Sequence, residues 1–146
     1  MSSSTLENHP FDEIRIGDTA STEHTLSLRD VQLFAAVSGD ISPTYLDSEL
    51  DRQLGPADLR AHSMWLGAQV SGLLCRQLPG PGTVHAGQDL EFLTPLAIGE
   101  TVTISITAKD KDAATRRVSF DCRGVTAQGA TIMTGIARVI APQRKV

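Results

Sequence analysis

The chain predicts an α+β domain built on one antiparallel sheet, and the sign of it is a change of hydrophobic period. Up to about residue 78 apolar residues recur at helical spacing; from residue 83 onward they alternate with polar ones at a period of two. Short turns separate the alternating runs, and successive strands joined this way pair antiparallel. The longest helical segment, residues 63–77, carries Met64, Trp65, Ala68, Val70, Leu73, Leu74 and Cys75 around most of its circumference. A helix apolar nearly all round is expected to lie buried, here against the sheet.

The elements follow in order. Residues 1–10 lack both a basic start and an apolar stretch, so they are read as a flexible tail and not as a secretory signal. Residues 11–18 form an extended lead-in closing at Gly17-Asp18, and residues 22–26 a first strand. Ser27-Leu28-Arg29-Asp30 fits a capping box, with Ser27 as N-cap and the Asp30 carboxylate answering three residues later. The helix it opens turns Val31, Phe34 and Ala35 inward, with Leu33 and Val37 adjoining, and Gly39 ends it. Residues 47–54 read as a short charged helix broken by Gly55-Pro56, and Pro79-Gly80-Pro81-Gly82 stops the buried helix. Four strands come after it. They cover residues 83–93, the alternations Val102-Ile104-Ile106 and Val118-Phe120-Cys122, and residues 130–140, with turns at Ile98-Gly99-Glu100, residues 109–115 and Ala127-Gln128-Gly129.

At 146 residues the chain has room for one domain with a real core, taken as residues 11–142. No apolar run approaches the roughly 20 residues of a membrane helix. A net charge of −4, with the basic pairs Arg116-Arg117 and Arg144-Lys145 as the main clusters, argues against a nucleic-acid binder. Two cysteines, one in a helical and one in a strand pattern, do not make a disulfide framework, so free thiols in a reducing cytoplasm are expected. Nothing has metal-ligand spacing, and the glycines between residues 79 and 87 run from helix to strand, the wrong order for a dinucleotide loop.

Chemistry concentrates after the first helix, in Ser38-Gly39-Asp40-Ile41-Ser42-Pro43-Thr44-Tyr45-Leu46-Asp47. Pro43 keeps the preceding residue out of helix, so several polar side chains crowd one loop. This stretch resembles the loop of the MaoC-like dehydratases, the (R)-specific enoyl-CoA hydratases, whose pattern is Ser-x-Asp-x-Asn-Pro-x-His-x-Asp. Ser38, Asp40, Pro43 and Asp47 match it; Ser42 stands for the Asn and Tyr45 for the catalytic His. A second block, Ala61-His62-Ser63-Met64, is similar to the family's Ala-His-Gly-Met, and Gly87-Gln88-Asp89-Leu90-Glu91-Phe92 extends the likeness. The resemblance spans roughly residues 11–142 and implies the hot dog fold, an antiparallel sheet wrapped around one long central helix.

It also implies an activity: reversible hydration of a trans-2-enoyl thioester, carried on coenzyme A or acyl carrier protein, with no resident cofactor and no metal. Asp40 is then the base that positions water, Tyr45 a weak acid or water anchor, and the backbone N–H of Ser63 the donor to the thioester oxygen. Ser42, His62 and Met64 fall around the substrate, with a structural hydrogen bond the expected task of His62. His85 is the only other imidazole weighed as a replacement for the missing one, and His9 and His24 are expected to face solvent. The phenol of Tyr45 is the weak point, because its reference pKa near 10 makes it a poor base at neutral pH. The competing reading is therefore a non-catalytic acyl-thioester-binding module, or the degenerate partner of an intact hot dog subunit. The family implies a dimer of like or unlike subunits.

Overall fold

The computed structural model of the chain describes residues 6–41 and 60–146. A single 3-10 turn, Phe11–Glu13, leads into β1 (Thr19–Thr25), and α1 (Leu28–Ser38) follows. Then come α2 (Ser63–Arg76), β2 (Val84–Phe92), β3 (Thr101–Asp112), β4 (Arg117–Thr126) and β5 (Thr131–Ile140). The strands form one antiparallel sheet in the order β1-β3-β4-β5-β2. This is the α+β, hot dog arrangement expected: α2 packs on the inner face of the sheet.

Period two decides which residues build that face. In β3, Val102, Ile104, Ile106 and Ala108 are buried between half-buried or exposed neighbours; in β4, Val118, Phe120 and Cys122 are buried between Arg117, Asp121 and Arg123, which are exposed, and half-buried Ser119. Ile132, Met133, Ala137 and Val139 complete the sheet's share of the core, and Trp65, Leu66, Val70, Leu73 and Leu74 supply the helix's share. The helix differs from expectation in one respect: Met64, Ala68 and Gly72, spaced by four, lie exposed along one stripe. Among the described residues the sheet leaves this stripe of α2 uncovered.

Smaller differences have local causes. β1 starts earlier than the residues read as strand, because Thr19, Ala20 and Ser21 pair with Thr107, Ile106 and Ser105 of β3 although they carry no apolar alternation. β3 runs on into the charged Lys109-Asp110-Lys111-Asp112 stretch, held by its ladder with β4. The lead-in opens with a 3-10 turn over Phe11–Glu13 before Ile14 becomes extended and a turn closes at Gly17. Asn8, in the segment read as tail, is buried: its amide donates to Pro81 O at 3.1 Å and Arg144 O at 2.7 Å, and its side-chain oxygen accepts from Val146 N–H. His24 is half-buried, bonded to Asp30 and set edge-on against Trp65 with ring centroids 5.2 Å apart. Both thiols are free, and burial, reinforced by the nearby Asp121 charge and opposed by a backbone hydrogen bond at Ala137, pushes Cys122 up to about 11. A thiol so placed is an inert core residue.

Gly135 is where β5 needs a glycine. Its φ is 159°, and a Cβ there would overlap Asp89 O and sit 2.8 Å from Leu90 Cα across the β2–β5 ladder. Those atoms are backbone, so the clash is relieved only by pulling β2 away. Gly135→Ala is expected to destabilise the protein by about 3 kcal/mol. A Tm lowered by on the order of 10 °C in calorimetry is the corresponding signal, and an unchanged Tm would contradict the geometry.

Candidate active site

Two chain segments meet at the site. The first is the end of α1. Ser27 accepts from Asp30 N–H at 3.2 Å, while one Asp30 oxygen accepts from Ser27 N–H and Ser27 Oγ at 2.8 Å each and lies 3.0 Å from His24 Nε2. This is the capping box expected, with an added clasp to β1. At the other end of the eleven-residue helix Gly39 takes the left-handed conformation, φ 75°, its N–H bonding Ala35 O, and so turns the chain out of the helix into Asp40. The Asp40 N–H donates to Ser38 Oγ at 3.1 Å, and the Ile41 N–H to Gly39 O at 3.1 Å.

Burial alone would raise the Asp30 carboxyl, but hydrogen bonds from Ser27 N–H, His24 and the Ser27 hydroxyl, with the His24 charge, hold it below its ordinary value. A carboxyl depressed by folding adds stability above the unfolded-state value and loses it as pH falls through the folded one. Asp30→Ala is therefore expected to lower stability by about 1 kcal/mol near neutral pH, the worth of a helix cap. The difference from wild type should shrink as denaturant unfolding is repeated at progressively more acid pH. A deficit independent of pH would show that the ionised carboxylate is not the cause.

The second segment is the start of α2. His62 is its N-cap residue, at φ −58° and ψ 139°, and its side chain makes no capping hydrogen bond to the helix. Ser63, not the cap, is the first helical residue; its backbone N–H is one of the initial donors that lack an intrahelical acceptor. About half a positive charge resides at such an end, aimed outward. The imidazole of His62 turns away from its own helix instead. It is 3% exposed, rests on the Phe34 ring of α1 with centroids 5.0 Å apart, and its Nε2 lies 2.9 Å from Asp40 O. A carbonyl can only accept, so Nε2 carries the hydrogen. The same nitrogen is 3.9 Å from Asp40 Oδ2, and that carboxylate is 49% exposed.

A half-exposed carboxylate is thereby brought beside the residue that opens α2. Phe34 and Met64 continue from there into an open groove of about 460 Å³ between α2 and β2, lined also by Gly67, Ser71, His85 and Gln88. Of the residues expected at the site, Asp40, His62, Ser63 and Met64 are gathered here, and His85 stands on the groove wall. Ser42 and Tyr45 lie outside the described residues, as does the short helix expected over residues 47–54. Sequence reasoning missed Phe34 as a site residue, since its spacing reads only as core, and missed the groove. The small residues Gly67 and Ser71 that open it sit four apart on α2, a signal that was there to be read.

A family model described as the MaoC like domain matches residues 13–129, and the chain belongs to that family. An (R)-specific enoyl-CoA hydratase from Rhodospirillum rubrum is 33% identical over 144 residues, covering 99% of each chain. Another from Aeromonas caviae is 35% identical over 133 residues, covering 88% of this chain and 96% of its own. Among solved structures, the unliganded R-hydratase from Pseudomonas aeruginosa superposes with a TM-score of 0.91 at 33% identity, over 97% of this chain and 90% of that one.

Proposed function

We propose that the protein is an enoyl-thioester hydratase, adding water reversibly across a trans-2-enoyl-CoA or the corresponding acyl-carrier-protein thioester to give the (R)-3-hydroxyacyl product. The observation that carries the reading is the meeting of the Asp40 carboxylate with the N-terminus of α2, joined through His62. Relatives bearing that activity in their names support it.

The residues divide the work as follows. Asp40 accepts a proton from the water whose oxygen attacks C3, and the C2–C3 π electrons move toward the thioester carbonyl. The developing enolate oxygen is held by the Ser63 N–H at the positive end of α2, the kind of fixed donor that stabilises charge only as it forms. A proton delivered to C2 completes the addition, and dehydration retraces these steps. Tyr45 takes the position of the family's histidine; as a phenol it anchors the water and gives up a proton weakly, so slow turnover is expected. Ser42 stands in the sequence where the family has asparagine, and its hydroxyl can make one such hydrogen bond; Met64 and the groove beyond it accommodate the acyl or pantetheine chain.

The test is loss of enoyl-thioester absorbance when purified protein is mixed with crotonyl-CoA. Slow, enzyme-dependent loss is expected. No loss at high protein concentration would overturn the reading and favour a binding module or a degenerate partner subunit.

A further inference from the structure

Among the described residues, His62 is the one that joins the two halves of the site, and its geometry differs from that of a space-filling core histidine. It occupies the N-cap position of α2 but gives that helix no side-chain hydrogen bond. Its ring crosses instead to a residue 22 positions earlier and donates to Asp40 O at 2.9 Å, while Phe34 braces one face. Asp40 itself follows a left-handed glycine, where the backbone has left the helix. The N–H of Asp40 and that of Ile41 donate to residues two back in the chain, Ser38 Oγ and Gly39 O. The bond from His62 spans 22 positions and references this stretch to α2.

Resting on the hydratase reading, we infer that His62 is a positioning residue. Its Nε2–H fixes the Asp40 backbone to the start of α2, so that the proton-accepting carboxylate and the oxyanion-binding N–H are held at one spacing. Proton transfer and oxyanion stabilisation must act on atoms of a single conjugated system, C3 and the thioester oxygen. A spacing that drifts by a fraction of an ångström misaligns one of the two. The assignment gives the histidine of the Ala-His-Ser-Met block a task in the reaction although it need not touch the substrate.

Two substitutions separate this role from core filling. His62→Leu keeps apolar bulk and removes the donor; His62→Gln places an amide N–H at about the reach of Nε2. Hydrogen–deuterium exchange of the Asp40 and Ile41 amides and the hydration kinetics are read on both variants and wild type. In His62→Leu, exchange at those amides should rise about tenfold and kcat should fall about tenfold with KM within about twofold, the factor of one ordinary hydrogen bond. His62→Gln should recover most of both losses. Unchanged exchange in His62→Leu, or equal damage in Leu and Gln variants, would overturn the assignment. Absence of hydration by wild type would defeat the hydratase reading separately, since the exchange measurement still decides whether His62 holds Asp40.

Discussion

Asp40→Asn should reduce hydration of a short trans-2-enoyl-CoA by about 10²–10⁴-fold, the usual worth of a general base. The substitution is nearly isosteric, and it removes the ability to accept a proton without removing volume. His62 grips the backbone carbonyl of residue 40, which the change leaves in place. The side chain is 49% exposed, so an amide there is solvated as readily as a carboxylate. Stability should accordingly stay within about 0.5 kcal/mol of wild type in denaturant unfolding. A rate loss with unaltered stability assigns proton transfer to the carboxylate. Full activity in Asp40→Asn would move the base elsewhere and refute the role given to this residue.

The second large effect runs in the opposite direction. Tyr45→His restores the one letter at which the loop departs from the family pattern at a catalytic position. An imidazole with a reference pKa near 6.5 exists in both protonation states at neutral pH, whereas a phenol near 10 is almost wholly protonated. It can therefore pass a proton in either direction during a reversible addition. A gain of up to about 10²-fold in kcat is expected, the lower end of what such a group contributes, because Ser42 still stands where the family has asparagine. The pH–rate profile should acquire a limb in the range where histidine titrates. If neither wild type nor Tyr45→His hydrates the substrate, the catalytic reading fails and a thioester-binding or partner-subunit role takes its place.

Much of the architecture was legible because its signals are local. The Ser27–Asp30 box, the left-handed Gly39 and the bounds of α2 within a residue all follow from spacing and backbone chemistry over a few positions. Strands β3 and β4 announced themselves by alternating apolar and polar residues, and β5 by a more evenly apolar run. What was not legible depends on partners far along the chain. The first three residues of β1 are strand only because β3 offers a ladder, and α2 shows an exposed stripe because, among the described residues, the sheet leaves it uncovered. The same holds at the site. The two blocks of matching letters pointed to Asp40 and to the start of α2, but nothing in either block says that His62 of one bonds the carbonyl of Asp40 in the other, or that Phe34 braces it.

The most direct test of the account starts from the product side. Purified wild-type protein is given (R)-3-hydroxybutyryl-CoA in one cuvette and the (S) epimer in another, and the appearance of enoyl-thioester absorbance is followed to equilibrium. The account predicts slow appearance from the (R) epimer alone, at a rate abolished by Asp40→Asn. Equal dehydration of both epimers, or dehydration of the (S) epimer only, would contradict an active site in which one carboxylate and one helix terminus address fixed faces of the substrate.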